Sequence, residues 1–137
     1  MRVFFDASAF AKRYVKEAGT VEVLAWCDRA SELVLAVIAV PELISAFRRL
    51  RREQRLTDEQ YLYLKADLLE DIADAVICDV TPLVVKHAIA ALEAAPLRGM
   101  DAIHVGAAVA CSAEVFVSAD SRQCVAAEGF GLQVVRV

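Results

Sequence analysis

Two carboxylates in this chain each follow a short apolar run. Val3-Phe4-Phe5 leads into Asp6, and Val115-Phe116-Val117-Ser118-Ala119 leads into Asp120. Two further acids, Glu42 and Asp101, stand at the starts of helix-like segments in otherwise apolar surroundings. A side chain just beyond the C-terminal end of a buried strand points to where open α/β sheets bind ligands. An unpaired carboxylate there is costly to bury and does nothing for a core. Something positive should sit among such acids. A hard divalent cation, Mg²⁺ or Mn²⁺, is the simplest candidate for a set of carboxylate oxygens.

The elements that must place these acids follow from the pattern of apolar residues. Arg2–Phe5, Glu32–Val37, Ala75–Val80, Val115–Ser118 and Leu132–Val135 read as short strands, buried where β-branched and aromatic residues dominate. Between them lie helical segments. Ser8 is expected to cap a helix running to about Lys16, which would leave Asp6 free for a ligand. Thr20 is expected to cap the next, to about Arg29. Pro41 suits a first helical turn, and Glu42 in that turn is favoured by the helix dipole. Thr57-Asp-Glu-Gln60 is a capping box opening a long helix to about Ala73, so two helices form an αα-hairpin. Thr81-Pro82 starts a helix to about Ala94, a further one spans about Met100 to Cys111, and Ser121–Glu128 is a short last one. Asp101 and His104 share a face of theirs at i, i+3. Strands alternating with helices predict a parallel sheet covered on both faces.

Size and composition bound the rest. With 137 residues the chain is expected to form a single domain over 1–137, large enough for a core without staples. Hydrophobic residues reach 58%, but much of the excess over the usual ~45–50% is Ala. No apolar run approaches the ~18 residues of a bilayer span, and no signal-peptide pattern opens the chain. A cytoplasmic location and no membrane contact are expected. Cys27, Cys78, Cys111 and Cys124 lack zinc-like spacing and read as small buried hydrophobes in a reducing compartment. Net charge is −4, which taken alone argues against a nucleic-acid partner. The distribution differs from the sum: Arg48, Arg49, Arg51, Arg52 and Arg55 cluster on one segment. Arg48 and Arg52, with Lys12 and Arg13 shortly after Asp6, are candidate phosphate contacts; a solvated helix face is the competing reading.

Four segments together resemble a known family. D-A-S-A-F-A-K-R-Y-V-K-E-A-G-T, P-E-L-I-S-A-F-R-R, R-G-M-D-A-I-H-V-G-A-A and V-F-V-S-A-D-S-R-Q-C-V-A-A-E-G-F-G-L-Q-V-V occur in the order found in PIN-domain ribonucleases of the VapC toxin type. The resemblance covers essentially the whole chain. It implies a three-layer α/β/α PIN-like domain with a central, mainly parallel sheet of four to five strands. It also implies a metal-dependent endoribonuclease acting on RNA as the toxin of a toxin–antitoxin pair. Carried over residue by residue, the catalytic and metal-holding acids are Asp6, Glu42, Asp101 and Asp120, with Ser8 and Ser118 as supporting hydroxyls. A fifth carboxylate found in some relatives is replaced here by Ser121 and Gln123. An antitoxin protein that seats a basic residue among the acids, and a homodimer, are the partners implied. Tyr61, Leu62, Leu64, Leu68 and Trp26 are candidate exposed apolar contacts.

Other α/β classes fit less well. A phosphoaspartate receiver needs an acidic pair after its first strand and a Lys after its last; Asp6 has no acidic neighbour, and Arg136-Val137 closes the chain. A haloacid-dehalogenase-like phosphatase needs D-x-D where this chain has Asp6-Ala7-Ser8. The remaining rival is a catalytically weak PIN-like module that binds RNA or protein.

Overall fold

Five strands and seven helices alternate in the computed structural model, which covers residues 1–137. In chain order they are β1 (Arg2–Phe5), α1 (Ala7–Phe10), α2 (Thr20–Arg29), β2 (Glu32–Ala36), α3 (Ala39–Arg52), α4 (Asp58–Asp74) and β3 (Val76–Cys78). Then come α5 (Pro82–Ala94), α6 (Gly99–Ala110), β4 (Val115–Ser118), α7 (Ser121–Gly129) and β5 (Gln133–Arg136). All five strands pair in parallel, in the order β3-β2-β1-β4-β5. The chain builds outward from β1 through β2 to β3, then crosses back to β4 on the other flank of β1. The reversal lies between β1 and β4, so a crevice opens at their C-terminal ends.

Alternation along the strands divides the core into two layers. Phe4, Val34, Ala36 and Phe116 face α5, α6 and α7, where Val84, Ala88, Ala102, Val105, Ala108 and Ala127 cover them. Val3, Phe5, Leu35, Val115 and Val117 face the opposite layer, covered by Phe10, Val23, Leu43, Phe47 and Leu68 from α1 to α4. The result is the three-layer α/β/α arrangement expected from the sequence. Small residues let α5 and α6 approach closely: a Cβ on Gly106 would stand 2.6 Å from the Val84 carbonyl oxygen and 2.8 Å from the Ala88 nitrogen. No helix is long and apolar enough to cross a membrane.

Several expectations need correction. The first helix is not capped by Ser8 and does not reach Lys16. Asp6 is its N-cap, accepting the Ala9 N–H, and after one turn the chain tightens into a 3₁₀ turn over Ala11–Arg13. Thr20 lies inside α2 rather than capping it. Its hydroxyl instead donates to the Lys12 carbonyl at 2.9 Å, while Gly19 occupies the cap at φ +95, a left-handed conformation suited to glycine. The third strand is shorter than Ala75–Val80 because Thr81 turns to cap α5, accepting from the Val84 N–H. Leu68 is fully buried and offers no exposed contact, whereas Leu62 and Tyr63 are exposed. The capping box at Thr57 forms as read, with both reciprocal bonds present. The four cysteines are free thiols, and only Cys124 is fully buried.

Candidate functional site

Asp6 leaves the end of β1 and turns its carboxylate back over the sheet, where it is only 1% exposed. Three donors hold it. The Ala9 N–H reaches Oδ1 at 2.9 Å, the Ser8 hydroxyl reaches both oxygens at 2.7–2.8 Å, and the Ser118 hydroxyl reaches Oδ2 at 2.8 Å. Burial still pushes the Asp6 carboxyl above its usual range, against the pull of these donors and of nearby His104. Ser118 also ties the first acid to the fourth, since its oxygen accepts the Asp120 N–H at 2.9 Å. Asp120 is the N-cap of α7 and accepts from the Arg122 and Gln123 N–H groups through Oδ1.

The second and third acids are each held by a side chain the sequence did not assign to them. His104 shares a helix with Asp101, but its Nε2 lies 2.6 Å from Glu42 Oε1 on α3. The imidazole is buried, stands edge-on to Phe4, and leaves Nδ1 without a partner. Gln123 is 3% exposed and donates through Nε2 to Asp101 Oδ1 at 3.1 Å, while its Oε1 is buried and unpartnered. The only sequence signals for either were a His in an Ala- and Val-rich helix and a Gln in a short Ala-rich one. A pattern emerges along the network. The residue three after the third acid holds the second, and the residue three after the fourth acid holds the third.

Through Ser118 and Gln123 this network links Asp6, Asp120 and Asp101, while Glu42 pairs separately with His104. Glu42 and Asp101 also line one cavity of about 650 Å³, together with Val85, Ile89, Leu92 and Arg98. Glu42, Asp101 and Asp120 each spend one oxygen on a protein donor and keep the other free. As placed, no three His, Cys, Asp or Glu side chains are close enough to hold one metal ion. The acids share an edge of the sheet without closing into a ligand set, and Glu42 is drawn onto His104.

The expected phosphate contacts fall elsewhere. Arg13 forms a bidentate pair with Asp71 at 2.8 and 3.1 Å, and Tyr14 donates to the same carboxylate at 2.6 Å. Partial burial works to raise the Asp71 carboxyl, yet the Arg13 and Tyr14 hydrogen bonds hold it below its usual range. Lys12 donates to the Ala18 carbonyl at 2.6 Å. Arg48 lies over the Tyr61 ring, 4.8 Å from its centroid, and Arg52 is exposed without an ion pair. Arg49, another member of the Arg48–Arg55 cluster, shares a cavity of about 390 Å³ with Glu42, lined also by Ile38, Ser45 and Met100.

A five-stranded parallel sheet with helices on both faces, and acids just beyond the ends of β1 and β4, defines a three-layer α/β domain. The PIN domain family model matches residues 3–129. A curated relative, ribonuclease VapC45 of Mycobacterium tuberculosis (strain CDC 1551 / Oshkosh), is 32% identical over 108 residues, covering 79% of this chain and 75% of its own. The chain belongs to the PIN-domain family. Solved structures share the fold. A toxin–antitoxin complex from Klebsiella pneumoniae matches with a TM-score of 0.71 at 12% identity, over 97% of this chain and 95% of that one. Mycobacterium tuberculosis VapC20, described as a sarcin–ricin loop cleaving toxin, matches with a TM-score of 0.70 at 15% identity, over 98% and 99%.

Proposed function

We propose that this protein is a metal-dependent endoribonuclease, the toxin of a toxin–antitoxin pair, with Asp6, Glu42, Asp101 and Asp120 as its site. The observation that carries this reading is the hydrogen-bonded network joining Asp6, Asp120 and Asp101 at the reversal edge of a PIN-domain sheet, with Glu42 held beside it by His104. The relative named ribonuclease VapC45, and the toxins among the structural neighbours, support the substrate class and the toxin role.

The donor chemistry fits Mg²⁺ or Mn²⁺. Three acids keep a free carboxylate oxygen, and the buried, unpartnered Gln123 Oε1 is a further oxygen in their midst. When bound, such an ion polarises the scissile phosphate, lowers the pKa of a water and neutralises charge on the leaving oxygen. The chain's own residues do the positioning. Ser8, Ser118 and the Ala9 N–H fix Asp6; His104 and Gln123 orient Glu42 and Asp101; the α7 N-terminus orients Asp120. The cleft beside Glu42 and Asp101 presents Val85, Ile89, Leu92 and Met100. It would seat an apolar antitoxin segment whose basic residue meets the acids.

The test incubates purified protein, freed of any partner, with labelled tRNA and rRNA fragments in Mn²⁺ or Mg²⁺. Asp6→Asn and a chelated sample run alongside. Cleavage lost in both controls is the expected result. Cleavage that survives complete chelation would overturn the metal mechanism, and a folded, metal-loaded protein that cuts no RNA would favour the binding-module reading.

A further inference from the structure

We propose that Arg49 and Arg98 flank the acid site as a pair of phosphate contacts, setting the path of the RNA backbone across Glu42. This inference rests on the nuclease reading and adds a substrate track to it. Most arginines near carboxylates here are already committed. Arg2 pairs with Glu32, Arg13 with Asp71, Arg51 with Asp58, Arg55 with Glu53 and Arg136 with Glu128. Arg49 and Arg98 make no ion pair, and both are exposed, although each shares a cavity with Glu42.

Their placement is two-sided. Arg49 follows Glu42 by seven positions on α3, two helical turns along the same face, roughly 10 Å along the axis. Ser45 lies between them and lines the same cavity. Arg98 is the N-cap of α6, three positions before Asp101, and lines the second cavity that Glu42 borders. Met100 lines both cavities, so the two open onto one continuous surface.

An exposed guanidinium beside an acid would ordinarily pair with it. Here Glu42 gives Oε1 to buried His104 and Asp101 gives Oδ1 to Gln123, and neither acid forms an ion pair with Arg49 or Arg98. Two unpaired forks bracketing a carboxylate site suit the phosphates on either side of a scissile bond, since guanidinium geometry matches phosphate. Such local placement also explains how a chain of net charge −4 could attract a polyanion: the field at the cleft matters more than the sum. Contacts to backbone phosphate position the strand and carry no base information.

The experiment measures binding of a fluorescein-labelled single-stranded RNA by anisotropy, in chelator, across a salt series, together with Mn²⁺-dependent cleavage. Wild type is compared with Arg49→Gln, Arg98→Gln, the double variant and Lys65→Gln, an exposed cation on α4. Each lost contact should lower the slope of log K against log salt by about 0.7 and weaken binding roughly five-fold at 0.1 M salt. The double variant should lose both increments, and Lys65→Gln should match wild type. Unchanged slopes for Arg49→Gln and Arg98→Gln in a wild-type protein that cuts RNA would overturn the track and leave the nuclease reading standing. An equal loss in Lys65→Gln would overturn it in favour of diffuse surface charge. A wild type that neither binds nor cuts RNA would overturn both.

Discussion

Replacing Asp6 by Asn should make the protein more stable while abolishing its activity. The carboxylate is almost wholly buried, and burial raises its pKa above the ordinary value despite three donors. A raised carboxyl pKa means the folded state prefers the protonated form. Stability from this group is therefore fully present below the unfolded pKa and is lost as pH rises through the folded one. Ionising Asp6 in the folded state carries a desolvation cost that Asn does not. Asn keeps the N-cap to Ala9 N–H, and the Ser8 and Ser118 hydroxyls can turn to accept from its amide. Relief of a strained functional site typically yields about 0.5–2 kcal/mol. An unfolding entropy of about 2.1 cal/mol/K per residue over 137 residues makes 1 kcal/mol worth roughly 3.5 °C. Asp6→Asn should thus melt about 2–7 °C above wild type at pH 7 in chelator. The gap should close as pH falls through the raised pKa. Asp6→Ala also loses the cap, about 1 kcal/mol, and should fall at least ~3 °C below Asp6→Asn. Thermal melts by circular dichroism from pH 4 to pH 8 measure all three. An Asp6→Asn variant that melts at or below wild type at pH 7, or a gap that widens on acidification, would refute the reasoning.

Three further outcomes follow from the same geometry. His104→Ala and Gln123→Leu should each weaken Mn²⁺ binding about ten-fold or more by titration calorimetry, because outer partners orient metal-holding carboxylates; His104→Gln should recover part of that loss, and unaltered affinities would leave both residues as mere packing. Gly106→Ala should destabilise by about 2 kcal/mol or more, since its Cβ would meet the Val84 carbonyl oxygen at 2.6 Å; a melt within a degree of wild type would mean that α5 and α6 separate without cost. A hydrogen bond with the Cys111 thiol pulls Cys78 down to about 7, against partial burial. Iodoacetamide labelling of Cys78 should therefore be half-maximal near pH 7 and move upward in Cys111→Ala; a midpoint above pH 8 would contradict the pairing.

Much of this protein was legible in its sequence because the signals are local. The apolar runs before Asp6 and Asp120, the capping box at Thr57 and the Thr81-Pro82 start each depend on a few adjacent residues. Alternating strands and helices then restrict the fold to a covered parallel sheet, and four matching segments identified the family. Short-range competition set the limits of that reading. Nothing in D-A-S decides whether Asp6 or Ser8 caps the helix, because each side chain can accept from an N–H two or three residues on. Tertiary structure alone decided the partners across elements: His104 turned to Glu42 rather than to Asp101 in its own helix, Gln123 reached Asp101, and Arg13 went to Asp71. These pairings join residues 22 to 62 positions apart. They depend on how helices on the two faces of the sheet meet at one edge, a relation that no local spacing encodes.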